Sequence, residues 1–162
     1  MKHVIITFIL LALIGCKDSK TQDTKKESVE QSTEIHNEHI AQDASGVYAN
    51  AWTSEIQLND GNKWQANAET NEGVLKMKKS IKEQTTNSLQ DYYQLAEQLN
   101  IDKNYVVKNC TMKGASHDNL HVWLLPLMEK IEVLSEAKSI EDAAKLKQSI
   151  TENINAYSNY FE

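Results

Sequence analysis

Apolar residues recur every three or four positions through most of the second half of the chain, which is the spacing of amphipathic helices. From residue 66 onward we predict four helices, over residues 66–85, 88–110, 116–135 and 139–160. Because the connections between them are short, each helix should run antiparallel to the next. The pattern therefore predicts an all-α fold, an antiparallel four-helix bundle over residues 66–162.

Each predicted helix carries one apolar stripe that would face the core. In chain order the stripes are Val74, Met77 and Ile81; Leu89, Tyr92, Ala96, Leu99 and Val106; Leu120, Leu124, Leu127, Ile131 and Leu134; and Ala143, Ile150, Ile154, Tyr157 and Phe161. Lys103 interrupts the second stripe. Pro126 lies inside the third, so we expect a kink near residues 122–126 or a restarted helix. The predicted N-caps are Asn87 or Ser88, Ser116 and Ser139, and Gly114 is expected just after the second helix.

Residues 46–65 precede the helices and have a different pattern. Trp52 and Trp64 supply apolar bulk, and Asn59-Asp60-Gly61-Asn62 is a turn signal. We predict a short hairpin or irregular flap, called the flap below, that docks on the helices through its tryptophans. A ligand platform built on these tryptophans is the alternative.

Charge and composition exclude several classes of protein. The chain has 17 basic residues, all lysine, against 23 acidic residues, for a formal net charge of −6. An acidic surface without arginine is unsuited to phosphate backbones, so we do not expect nucleic-acid binding. One proline and five glycines argue against a sandwich or barrel with many tight turns.

The N-terminus has the pattern of an export signal. Residues 4–14 are almost entirely apolar but too short to span a bilayer, which needs roughly 20 apolar residues. Leu13-Ile14-Gly15-Cys16 follows at the end of this run and resembles the lipobox of bacterial lipoproteins. The resemblance implies a signal peptide over residues 1–15 and a lipidated Cys16, so that a lipid anchor holds the protein to a membrane.

The polar residues that follow Cys16 are too poor in apolar groups to build a core, so we interpret residues 16–45 as a flexible tether. His36 and His39 lie near its end, where we expect a solvated linker. Lys17 stands where enteric inner-membrane lipoproteins carry aspartate. This favours the outer membrane, facing the periplasm or the cell surface. The mature part resembles small uncharacterised helical envelope lipoproteins, a resemblance that implies no activity.

The stretch CTMKGASHDNLHVW, residues 110–123, contains one cysteine, one methionine and two histidines, residue types that are rare in the rest of the chain. If Cys16 is lipidated, Cys110 is the only thiol left. The predicted turn should bring Cys110 and Met112 near His117 and His121, which are four residues apart on one helix face. Sulfur and imidazole ligands together suit copper, with zinc as the second choice. Glu69 or Glu72, at the start of the first helix, is a candidate added ligand or hydrogen-bond partner for a histidine.

A capped bundle end without metal is the alternative interpretation of this stretch, with Cys110 acting as a small buried apolar residue. Haem is not expected. The Cys-x-x-Cys-His motif of covalently bound haem is missing. A non-covalent haem could be held by a histidine with Met77, Met112 or Met128, but the only feature shared with haem-binding bundles is the predicted bundle itself. Nor do we expect an enzyme, because a Cys–His pair here lacks an orienting third group.

We therefore expect a lipid-anchored envelope protein that binds a soft or borderline metal ion, with copper favoured, through Cys110, Met112, His117 and His121. The alternative function is a non-catalytic structural or protein-interaction module with no metal. The sequence does not identify a protein partner.

Overall fold

Four long helices packed against one another form the protein, in a computed structural model that describes residues 46–162. In chain order they are α1 (Ala68–Glu83), α2 (Leu89–Asn109), α3 (Ala115–Ser135) and α4 (Ile140–Tyr160), preceded by a short 3-10 helix at Ala51–Ser54. Residues 46–162 contain no β-strand, only two isolated bridges. The predicted all-α bundle is confirmed. Within this part of the chain no helix has the length and apolar character needed to cross a membrane.

The helix ends follow from local capping chemistry. Ser88 caps α2 in a capping box: its side chain accepts from the Asp91 backbone N–H, and the Asp91 carboxylate accepts from the Ser88 backbone N–H. Ser139 caps α4 by accepting from the Asp142 backbone N–H at 3.0 Å. These two predicted caps are confirmed, and the predicted ends of all four helices lie within two residues of the observed ones.

Side-chain contacts show the antiparallel arrangement directly. The Tyr105 hydroxyl of α2 donates to Glu72 near the start of α1, and Ser80 near the end of α1 donates to Asp102. On the other side of α2, the Tyr93 hydroxyl near its start donates to the Ala137 carbonyl, just after α3. The indole of Trp123 in α3 donates to the Asn153 carbonyl of α4 at 2.9 Å. Each helix therefore packs against its chain neighbours, as short connections require.

The core is made from the predicted stripes and a few residues beyond them. All predicted stripe residues are buried except Ile81 and Leu89, which are partly buried against the core. Within the four helices, three further apolar residues are buried outside the predicted stripes: Leu95, Trp123 and Leu146. Trp123, Tyr157 and Phe161 form one aromatic column, with successive ring centroids 4.9 and 4.8 Å apart. The column ties α3 to the last turn of α4.

Two local expectations for α3 are wrong. Ser116 is not the N-cap: the cap position is Gly114, at φ 61°, and the Ser116 hydroxyl donates to the Lys113 carbonyl from inside the helix. Gly114 thus begins α3 instead of ending α2, whose C-cap is Cys110. Of the two possibilities predicted at Pro126, a restarted helix is excluded because one helical segment runs through that residue, and a kink near residues 122–126 stays a prediction.

The flap contains the 3-10 helix at Ala51–Ser54 and one tight turn and is otherwise irregular. Asp60 and Gly61 both adopt positive φ, 51° and 85°, between paired Asn59 and Asn62, as a two-residue hairpin turn requires. Trp52 is buried against Tyr160 with ring centroids 5.8 Å apart. Trp64 is half-buried, and its backbone pairs with the chain around Phe161. Both tryptophans therefore dock the flap on the bundle, as predicted.

A buried polar cluster holds the flap to α3 and α4. Lys130 of α3 is only 1% exposed, and its ammonium donates to the Asn50 side chain. The Asn50 amide in turn donates to the Ser149 carbonyl and to the Glu152 carboxylate of α4. The Trp52 indole also donates to Asn50, at 3.0 Å. Burial lowers the pKa of Lys130 to about 8, against the opposing effect of the Glu152 and Glu129 carboxylates.

The substitution Gly73→Ala tests the close approach of α1 to α2. An added Cβ would overlap Cγ2 of the fully buried Val106. We expect a loss of about 1–3 kcal/mol in the free energy of unfolding, larger than the ~0.5–1 kcal/mol that alanine gains in a helix. Chemical denaturation measures the difference. Gly46→Ala is the control, because no atom lies within 4 Å of its added Cβ.

A double-mutant cycle sharpens this test. In a Val106→Ala background the overlapping methyl group is gone, so Gly73→Ala should cost clearly less than it does in the wild type. An equal cost in the two backgrounds would show that the helix approach at Gly73 does not depend on Val106.

The buried lysine predicts a pH dependence of stability. The pKa of Lys130 is about 8 in the folded protein against 10.5 for the free side chain. Between these values the unfolded chain holds a proton that the folded chain has released, so stability should rise with pH across this window. Lys130→Met removes this titrating group. Between pH 8 and 10.5 the free energy of unfolding of the wild type should therefore rise relative to that of the variant. Denaturation at several pH values measures it. The exposed Lys82→Met is the control, and the same pH profile for both variants would contradict the assignment.

Candidate functional site

The candidate site is the connection between α2 and α3, residues 110–114, with the first turns of α3. Asn67, the N-cap residue of α1, anchors this connection from the neighbouring helix. Its amide donates to the Asn109 carbonyl at 3.0 Å, and its side-chain oxygen accepts from the Thr111 backbone N–H at 3.3 Å. The start of α1 and the α2–α3 connection therefore lie at one end of the bundle, as expected.

Cys110 is a free, half-buried thiol packed against the core. It lies close to Tyr157: burial raises the pKa of the Tyr157 phenol strongly, and the neighbouring Cys110 raises it further. The phenol itself donates to Asn71 at 2.9 Å. The surroundings of Cys110 on this side are thus the aromatic column of the core.

Met112 lies in the middle of the connection. It is half-buried and packs against the same core as Cys110. A thioether here is accessible in part and is held by apolar neighbours.

His117 and His121 are brought together by the first two turns of α3. Their ring centroids are 4.3 Å apart, with the ring planes tilted by 54°. His117 is half-buried and His121 is exposed. Residues four apart on a helix share a face, so the regular helix from Ala115 onward is sufficient to place both imidazoles together. Two adjacent imidazoles can chelate one metal ion, particularly when one ring is free to turn in solvent.

The predicted ligand set is not assembled as a single group. Within residues 46–162 no three side chains of His, Cys, Asp and Glu are arranged to hold a metal ion together. The expectation that Cys110 and both histidines address one point is therefore not met in this conformation. The physical reason is the early end of α2: Cys110 has an extended backbone, at φ −65° and ψ 124°, so the helical spacing does not continue to its side chain.

The two acidic candidates have other partners. Glu69 accepts from the Asn67 amide at 2.7 Å, and this hydrogen bond lowers the pKa of its carboxyl group. Glu72 accepts from the Tyr105 hydroxyl at 2.7 Å and pairs with Lys76 at 3.0 Å; these two hydrogen bonds, the first with the larger effect, lower its pKa. Within residues 46–162 neither carboxylate belongs to a group of three or more potential metal ligands, so a supporting role of Glu69 or Glu72 for a histidine stays a prediction.

Several predictions concern residues outside the described part of the chain. These are the signal peptide, the lipidation of Cys16, the tether over residues 16–45, and the histidines His36 and His39. They remain predictions from the sequence.

Several buried polar residues on the other faces of the bundle were not predicted from the sequence. Lys130, Asn50 and Asn153 were not singled out, although Lys130 and Asn153 are among the most buried polar residues. Lys103 was noticed only as an interruption of a stripe, and it is 9% exposed. Both lysines could have been found from the sequence by asking which lysines occupy helical positions that the apolar spacing assigns to the core.

Comparison of the chain with protein-family models, with curated proteins and with solved structures gives no match. The fold defines the chain as an all-α helical bundle, and the arguments for its function come from its own residues.

Proposed function

We propose that this protein is a non-catalytic, lipid-anchored component of a bacterial cell envelope that binds a soft or borderline metal ion at the start of α3, with copper favoured. The observation that carries the proposal is the adjacency of the His117 and His121 rings, 4.3 Å apart. Imidazole binds copper, zinc and nickel, and copper is preferred by most nitrogen ligand sets.

Nearby sulfur supports copper over zinc. Met112 and Cys110 lie in the short connection that leads into α3, and both are half-buried. Thioether and thiolate ligands select Cu(I), and Cu(I) needs few ligands beyond two imidazoles. Met112 or Cys110 would join the histidines through a rearrangement of residues 110–114, which are held by the Asn67 side chain, by the Ser116 hydrogen bond to the Lys113 carbonyl and by core contacts.

The envelope location rests on the lipobox-like Leu13-Ile14-Gly15-Cys16 and on the polar tether that follows. A thioether-linked lipid on Cys16 would hold the protein to the membrane, and residues 16–45 would be the flexible tether between the lipid and the bundle. Lys17 favours the outer membrane, on the periplasmic or the outer face.

Copper binding is tested by titrating the purified full-length protein, in detergent micelles, with Cu(I) against a chromophoric chelator. We expect stoichiometric binding. Replacing either His117 or His121 with alanine should weaken it by at least about tenfold, or roughly 1.4 kcal/mol. The matched control is the double variant His36→Ala/His39→Ala, which removes a second closely spaced histidine pair from the tether. Met112→Leu and Cys110→Ser then show which sulfur contributes.

Two outcomes would contradict the metal proposal. One is the absence of stoichiometric binding in the wild type, which would leave the alternative function, a structural or protein-interaction module. The other is full binding by His117→Ala together with a loss of binding in the tether variant. Circular dichroism of each variant checks that the bundle remains folded.

Lipidation is tested by growing a bacterial expression host with labelled palmitate. Wild-type protein should carry the label and sediment with membranes. Cys16→Ser should lose both properties, because the thiol that accepts the lipid is gone, whereas Cys110→Ser should keep them. Label on Cys16→Ser, or none on the wild type, would show that the lipobox resemblance is misleading.

A further inference from the structure

Two polar side chains lie on the buried face of α4, apart from the candidate metal site. Ser149 and Asn153 are 2% and 0% exposed. The buried residues around them on the helix are apolar: Leu146, Ile150 and Ile154. Because Ser149 and Asn153 are four residues apart in one regular helix, their side chains lie on the same face, one turn apart. They bring a hydroxyl and an amide into the core side by side.

These two side chains have no hydrogen-bond partner among residues 46–162. The unpartnered atoms are the Ser149 hydroxyl oxygen and both the amide nitrogen and the amide oxygen of Asn153, and all three are buried. Nearly all buried polar groups of native proteins are hydrogen-bonded, because a buried group without a partner has lost its bonds to water and gained none. Three such atoms within one helical turn are therefore in need of a partner.

The main-chain carbonyls of the same turn are already used. A carbonyl inside an α-helix accepts one N–H from the next turn. The Ser149 carbonyl accepts in addition from the Asn50 amide of the flap, at 3.3 Å, and the Asn153 carbonyl accepts from the Trp123 indole of α3, at 2.9 Å. Since a carbonyl oxygen has two lone pairs, neither one has capacity left for the Ser149 hydroxyl or the Asn153 amide nitrogen.

We propose that a water molecule is bound inside the bundle at this turn, where it bridges the Ser149 hydroxyl and the Asn153 amide. Water has two donors and two acceptor lone pairs, so it can bond the hydroxyl and either atom of the amide at the same time. Buried waters in globular proteins typically serve polar groups that have no other partner. Both residues are sealed from solvent, which favours a ligand as small as water over an organic molecule. This inference does not depend on metal binding.

The experiment is oxygen-17 magnetic relaxation dispersion of water in a solution of the full-length protein in detergent micelles, which counts long-lived internal waters. The double variant Ser149→Ala/Asn153→Leu removes the polar groups that hold the water, so it should contain about one long-lived water fewer than the wild type. The matched control is Asn155→Leu/Ser158→Ala, which makes the same two changes at exposed positions of α4 and should leave the number unchanged.

A crystal structure of the wild-type protein, at a resolution that shows ordered water, gives a second measurement that does not depend on the folding of any variant. We expect density for one water within hydrogen-bond distance of Ser149 Oγ and of Asn153 Nδ2 or Oδ1. An equal number of long-lived waters in the wild type and the buried double variant would overturn the proposal. So would a crystal structure in which the two side chains bond only to protein groups, or in which the density is too large for water.

Discussion

The structure depends on the burial of one apolar stripe from each of four helices in a single core. The four helices are 16 to 21 residues long, and isolated helices of about this length are marginally stable in water, so each one needs its neighbours. The connections set which neighbours are available, because a link of four or five residues can only turn the chain back beside the preceding helix. The antiparallel order, the caps and the flap all follow from that requirement.

Much of this arrangement was predictable, because helical periodicity and capping are local. The stripe of α4 was identified residue by residue, and Ser88 and Ser139 act as caps because hydroxyl and carboxylate groups near a helix start satisfy free N–H groups. Trp123 was missed because α3 is apolar on more than one face. The roles of Ser116 and Gly114 were missed because they depend on the backbone path of the connection, which side-chain periodicity does not describe.

The candidate site likewise has features that were predictable from the sequence and features that were not. The adjacency of His117 and His121 was predictable, because both lie within one regular helix. The position of Cys110 was not, because its stripe was extended past the last helical residue, where the backbone becomes extended and the thiol lies beside Tyr157. The partners of Glu69 and Glu72 were not predictable either. Asn67, Tyr105 and Lys76 bind these carboxylates through the packing of α1 on α2 or through the adjacent turn, which the apolar periodicity does not describe.

The route of the flap along the bundle has a geometric consequence. Tyr48 enters beside Asp142 in the first turn of α4; burial, and next the Asp142 carboxylate, raise the pKa of its phenol. Farther along, the Gln57 backbone N–H donates to Asn119, in the second turn of α3. Since α3 and α4 are antiparallel, residues 48–57 run along the bundle from the end that holds the start of α4 toward the end that holds the imidazole pair, and the 16-residue step from Asn119 to Ser135 corresponds to about 24 Å along α3. The flap therefore fixes α3 and α4 relative to each other at both ends of the bundle, including the end that carries the imidazole pair.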